Sequence, residues 1–159
     1  MAAGVHTLGV IADTHGLVRP QALAALAGVE RIVHAGDIGD RAVLDALARV
    51  APVTAVRGNN DRGGWAAGLA ETEVVEVGGV SLYLLHDLHA LDLDPRAAGF
   101  AAVIAGHSHQ PRLEERAGVL YLNPGSAGPR RFRLPVSVAR LTVTRGRVTA
   151  RLVRLEIPA

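Results

Sequence analysis

Short apolar runs alternate with amphipathic segments through the first half of the chain, and paired apolar-alternating runs fill the second. Thr7–Ala12 reads as a buried strand, since a short run this apolar suits a strand covered on both faces. Pro20–Ala27 follows as a helix, with proline in the first turn where its missing N–H is harmless. Arg31–Ala35 predicts a second strand. Asp40 is placed to cap a helix running to about Arg49, whose Val43, Leu44 and Leu47 share one face. Val53–Val56 predicts a third strand. Strand–helix–strand repetition implies a parallel sheet with right-handed crossovers.

Glu73–Val77 and Val80–Leu85 flank Gly78-Gly79, a hairpin signal. Asp94-Pro95 predicts the start of a short helix, and Ala102–Ala105 another buried strand. Arg112–Glu115 and Val119–Leu122 flank a turn at Ala117-Gly118. Val136–Thr144 and Arg147–Leu155 flank Arg145-Gly146. Three hairpins predict a second, mostly antiparallel sheet. The expected architecture is α/β, with two sheets and helices outside them. The chain has 159 residues with no internal repeat or dividing linker, so one domain over 1–159 is expected.

Composition narrows the chemistry. No apolar run approaches the roughly 20 residues needed to span a bilayer, and no leader pattern opens the chain, so a cytoplasmic protein with no membrane partner is expected. Cysteine is absent, which excludes disulfides and thiolate chemistry. All 17 basic side chains are arginine, so lysine Schiff bases are excluded too. Residues 1–116 carry a balance of −5 and residues 117–159 one of +7. A basic C-terminal quarter could draw in an anionic substrate or a nucleic acid. Solvated strand faces are the simpler reading, because only five aromatics (Trp65, Tyr83, Phe100, Tyr121, Phe132) are available to stack bases.

The polar residues fall at strand ends. Strand one runs into Asp13-Thr14-His15, strand two into Gly36-Asp37, and strand three into Gly58-Asn59-Asn60-Asp61. The later strands run into His86-Asp87 and Gly106-His107-Ser108-His109. Ligands bind at the carboxyl edge of open α/β sheets. Carboxylate, imidazole and amide oxygen together suit divalent manganese, iron, zinc or magnesium. Two ions roughly 3.5–4 Å apart would lower the pKa of a water between them and clamp a phosphoryl group. Each fragment alone is weak; a lone His6 or His34 is more often structural. Their order at five strand ends carries the signal, because clustered charges without a counter-ion would be costly.

Asp13-x-His15, Gly36-Asp37, Gly58-Asn59-x-Asp61, His86 and Gly106-His107-x-His109, in that order, resemble the calcineurin-like metallophosphoesterase superfamily. The short length and Asn123-Pro124-Gly125-Ser126 resemble its small single-domain phosphodiesterases. The resemblance implies a four-layer αββα sandwich of two mixed β-sheets flanked by helices. It also implies two divalent metal ions, manganese first, with iron, nickel, zinc and magnesium as alternatives. One ion would be held by Asp13, His15, Asp37 and His109. The other would be held by Asp37, Asn59, His86 and His107, with Asp37 bridging. Asp61 would orient a ligand or a neighbouring loop.

The expected activity is hydrolysis of small phosphodiesters by a metal-bridging hydroxide. Asp13, Asp37, Asn60 and His107 are the catalytic candidates, and Asn60 and Arg62 the substrate-binding ones. Two positions depart from the family pattern. Asn60 stands where a histidine often protonates the leaving group, and an amide is no general acid at neutral pH. Asp87 stands where glycine often follows the ligand histidine, with His89 close by. Arg57, Arg130 and Arg131 are further candidates to meet phosphate. The alternatives are a non-catalytic protein-interaction scaffold of the same fold, against which the complete ligand set argues, and a nuclease, with nucleic acid the less favoured partner. Exposed strand edges in the C-terminal half leave room for a homodimer.

Overall fold

The computed structural model describes residues 4–131 and 133–158. Phe132 lies outside them. β1 (Val5–Ile11) leads through α1 (Pro20–Ala25) into β2 (Arg31–His34), and α2 (Arg41–Ala48) leads on to β3 (Val53–Ala55). Asp40 caps α2, its carboxylate accepting the Ala42 N–H at 3.1 Å. Val43 and Leu47 are buried on the inward face of α2. The three strands are parallel, as strand–helix–strand alternation requires.

The remaining strands are β4 (Thr72–Val77), β5 (Val80–Leu85), β6 (Phe100–Ile104), β7 (Arg112–Arg116), β8 (Val119–Asn123), β9 (Ser137–Thr144) and β10 (Arg147–Arg154). They divide between two five-stranded mixed sheets, ordered β10-β9-β1-β2-β3 and β4-β5-β6-β8-β7. The β9–β10 hairpin therefore does not join the second sheet. It extends the first, with β9 antiparallel to β1 and Leu141 opposite Leu8. The reason lies in β9 itself: Ala139, Leu141 and Val143 enter the core between the sheets, while Val138 faces the helices. The other face of β9 is mostly polar, with Arg140, Thr142 and Thr144, so the inward apolar row is what sets β9 into the first sheet, between β1 and β10. The second sheet is also less antiparallel than the hairpins suggest, since β5, β6 and β8 run parallel.

Leu8, Val10, Val33, Leu82, Leu84, Ile104 and Leu141 pack between the sheets. A second cluster, around Leu26, Ile32, Ile38 and Leu47, packs α1 and α2 on the first sheet. The outer face of the second sheet is covered by Leu88, Leu91 and Leu93 from a one-turn 3₁₀ segment (Leu88–Ala90) and the loop after it. The helix expected at Asp94-Pro95 is a single capped turn: Asp94 Oδ1 accepts the Arg96 N–H at 3.1 Å, and the backbone turns away at Gly99 (φ +85°). Among the described residues no helix is long and apolar enough to cross a membrane.

Candidate metal centre

Five strands deliver the candidate ligands to one edge of the two sheets. The sheets meet there directly: His86 Nδ1–H donates to Ala35 O at 2.8 Å, and the His107 N–H donates to Asp13 Oδ2 at 3.0 Å. At the chain ends of β1, β2 and β6 the backbone is forced into the left-handed region. Asp13 (φ +55°), His15 (+46°), Asp37 (+55°), His107 (+73°) and His109 (+62°) all lie there. Such conformations cost non-glycine residues about 1–3 kcal/mol each and persist where surrounding contacts hold them. Among the described residues, the other two non-glycine cases, Ala117 and Arg145, are in hairpin turns.

The side chains converge as the backbone predicts. Ligand atoms of Asp13, His15 and His109 lie within 4.8 Å of one another, and so do those of Asp13, Asp37 and His86. His86 Nε2 is 3.4 Å and His15 Nε2 is 3.8 Å from Asp37 Oδ2, while His109 Nε2 is 3.6 Å from Asp13 Oδ1. Asp13 Oδ1 and His15 Nε2 are buried with no hydrogen-bond partner in the protein. Buried polar atoms are rarely left so, and a divalent cation among them would satisfy both. The donor set therefore fits the expected metals. His107 is more exposed, its Nδ1 3.2 Å from His86 Nε2. Asn59 is exposed and lines a cleft of about 840 Å³ together with His86, His107 and Arg62.

Electrostatics separates the two carboxylates. Burial raises Asp13 to about 7, and the charge of Asp37 adds to the rise. Burial opposes ionisation of Asp37 as well, but hydrogen bonds from His86 and Asn60 hold it below the usual carboxylate range. Burial depresses His15, and it depresses His109 to about 4, which keeps both imidazoles neutral and able to ligate. Burial would lower His86 too, but Asp37 outweighs it and the net direction is upward.

A second set of residues fixes the ligand loops. Gly36 N–H donates to His34 Nδ1 at 3.1 Å, which leaves the proton on Nε2 to donate to Thr14 Oγ1 at 2.9 Å. Thr14 in turn donates to Ile38 O. This buried chain ties the Asp13–His15 loop to the Asp37 loop. Asp61 accepts backbone N–H groups of Ile38, Gly39 and Gly58, joining the loops after β2 and β3. Ser126 Oγ donates to Asp13 O at 3.0 Å, and Asn123 Nδ2 donates to Gly106 O at 3.0 Å. Gly58 is required by space: a Cβ there would run into Asp37. Thr14 was not legible as functional, since its only signal was its place between two ligands.

The remaining candidates sort plainly. Asn60 is turned onto Asp37. Arg57 pairs with Glu71 at 3.1 Å on the cleft wall. The charge of Arg131 is felt at Asp13, His15 and His109, whereas Arg130 lines a groove with Arg154 and Glu156 that holds none of the candidate ligands. Asp87 Oδ1 accepts the His89 N–H at 3.0 Å, and the His89 side chain is 96% exposed.

Comparison with known proteins gives the family. A probable metallophosphoesterase of Methanocaldococcus jannaschii is 32% identical over 96% of this chain and 83% of its own length. A phosphodiesterase of the same organism is 27% identical over 74% of this chain and 82% of its own. Wild-type Vps29 of Entamoeba histolytica, complexed with Zn²⁺, has a TM-score of 0.70 at 27% identity, covering 93% of this chain and 98% of that one. Residues 7–146 match the family model for the calcineurin-like phosphoesterase superfamily domain, from the first strand to the last hairpin turn and through every candidate ligand, and the chain belongs to that superfamily.

Proposed function

We propose that the protein is a metal-dependent phosphodiesterase acting on small phosphodiesters. One observation carries the reading: buried ligand atoms without partners, on residues held in left-handed backbone, at the shared edge of the two sheets. Asp13, His15, Asp37 and His109 would hold one ion, and Asp37, Asn59, His86 and His107 the other. Manganese is the first choice for both. Bound divalent ions would supply an activated water and neutralise charge on the phosphoryl group.

The chain's own residues do the rest. Asp61, His34 and Thr14 keep the loops in register. Asn60 orients Asp37. Arg62 faces the cleft, where its guanidinium can meet a phosphate oxygen. His107 lines the cleft next to the buried centre, where it would stand beside the reacting group. We read the chain as one cytoplasmic domain over residues 1–159.

The test is to strip the purified protein with chelator, restore it with manganese, and assay an aryl phosphodiester alongside elemental analysis. Metal-dependent turnover with bound metal is expected. Absence of turnover with manganese, iron, nickel, zinc and magnesium alike would overturn the reading. The likeness to Vps29 supports a second one, a protein-interaction scaffold on the same fold. Because that Vps29 itself is complexed with Zn²⁺, bound metal without turnover of any phosphodiester would favour it.

A further inference from the structure

Two clefts meet at His107 and Asp87. The larger one, of about 840 Å³, holds Asn59, Arg62 and His86. On the other side of the Asp87–Ala90 strap, a smaller cleft of about 360 Å³ runs over Val103, Ala105 and Leu122 to a wall made by Arg112 and Arg116. The clefts differ in charge. Alternation along β7 puts Arg112, Glu114 and Arg116 on one face. Arg112 Nε donates to Glu114 Oε2 at 2.8 Å, and Arg116 Nε donates to Oε1 at 2.9 Å. Two guanidiniums thus share one carboxylate, and one positive charge is left over. Arg116 is further held over the Tyr121 ring, 5.1 Å from its centroid. Asp87 stands on the ridge and lines both clefts; beyond it, the larger cleft sets Arg57 and Arg62 against Asp61, Glu71 and Asp92, with Arg57 taken by Glu71. A bulky neutral group suits that cleft, and an anionic group suits the smaller one.

Resting on the phosphodiesterase reading above, we infer that the substrate is an unsymmetrical phosphodiester: its bulky neutral arm lies in the larger cleft, and its shorter arm ends in an anionic group bound by Arg112 and Arg116. A diester phosphorus carries two ester arms, and the two clefts diverge from a common ridge at the candidate ligands. A monoester would leave the smaller cleft empty.

The test compares two probes with the same aryl group, p-nitrophenyl 2-carboxyethyl phosphate and p-nitrophenyl propyl phosphate. Hydrolysis of either breaks the P–O bond to the aryl group; water supplies the new P–O bond and the phenol's proton. The manganese-loaded protein should favour the carboxyethyl probe by about fivefold in kcat/KM, the scale of a partly exposed charge pair. The difference should lie in KM and shrink at high salt. R112M/R116M should abolish the preference, and Glu114→Gln, which frees more positive charge, should increase it. Equal kcat/KM for the two probes, or a preference that survives R112M/R116M, would overturn the anionic-arm assignment while the phosphodiesterase reading stands. Failure of the loaded protein to cleave either probe would overturn both.

Discussion

Asn60 holds both oxygens of Asp37: its backbone N–H donates to Oδ1 and its side-chain amide to Oδ2, each at 2.9 Å. The residue that replaces the family's proton-donating histidine is thus spent on orienting the carboxylate proposed to bridge two ions. Outer partners of metal ligands are typically worth 10–100-fold in affinity or activity. Asn60→Ala removes the side-chain bond and keeps the backbone one, so manganese affinity should fall by about 10-fold. Titration calorimetry on the stripped protein reads this directly. Unchanged affinity would show that the backbone bond alone positions Asp37.

Asp37→Asn keeps the volume but removes the charge and turns an amide toward the two Asn60 donors and His86. Both metals, or nearly all activity, should be lost. Folding should survive, because one partly satisfied amide costs on the order of 1–3 kcal/mol. Circular dichroism and metal analysis on the same sample check the pair of outcomes. Two bound metals with near wild-type turnover would refute the bridging role.

Asp61 should be a stability residue as well as a positioning one. Its carboxylate accepts three backbone N–H groups, from Ile38 (3.2 Å), Gly39 (2.9 Å) and Gly58 (2.9 Å). Asparagine offers one acceptor oxygen and points two N–H donors at donors. Bonds to a charged acceptor contribute about 1.5–3 kcal/mol each, so Asp61→Asn should lower unfolding stability by at least about 2 kcal/mol. Urea denaturation measures it, and manganese affinity should fall in parallel. A loss under about 0.5 kcal/mol, the range of an ordinary surface substitution, would mean the loops are held by other contacts.

His34 predicts a pH dependence of stability. Burial depresses its imidazole from 6.5 to about 3 in the fold. Between those values the unfolded chain binds a proton that the native protein does not, so stability rises with pH and is lost as pH falls below 6.5. The slope from one such group approaches about 1.4 kcal/mol per pH unit. His15 and His109 shift the same way, so the test is a difference between two proteins. From pH 7 to pH 5.5, metal-free wild type should lose about 1 kcal/mol more than His34→Gln. Equal losses would mean that His34 is protonated in the fold.

The strands and the ligands at their ends are written in local order. A run such as Leu8–Ala12 is apolar at every position, which leaves it no soluble face, and the abrupt change to Asp13 marks where the strand leaves the core. Five such changes carry the candidate centre without any knowledge of how the strands pair. Asp61 was readable as a support only through the resemblance of Gly58-Asn59-x-Asp61 to the superfamily's motif, and its three partners were not.

Pairing partners are another matter. A hairpin specifies its own register through its turn, but not which sheet receives it, and β9 lies beside β1 because Ala139, Leu141 and Val143 fill the core between the sheets in the assembled fold. The turn at Asp94 carries a helix-capping pattern and stops after one turn, since the chain must reverse at Gly99 to enter β6. The left-handed backbone at Asp13, Asp37 and His109 is likewise a tertiary result: no local preference of aspartate or histidine is strong enough to select it, and the hydrogen bonds that hold it come from residues up to 113 positions away. Local sequence thus determined which side chains end each strand, because burial period and turn chemistry are local properties. Only the tertiary structure decided which of those ends face one another, that Asn60 is spent on Asp37, and that two clefts of different charge leave the same ridge, because these depend on contacts between segments far apart in the chain.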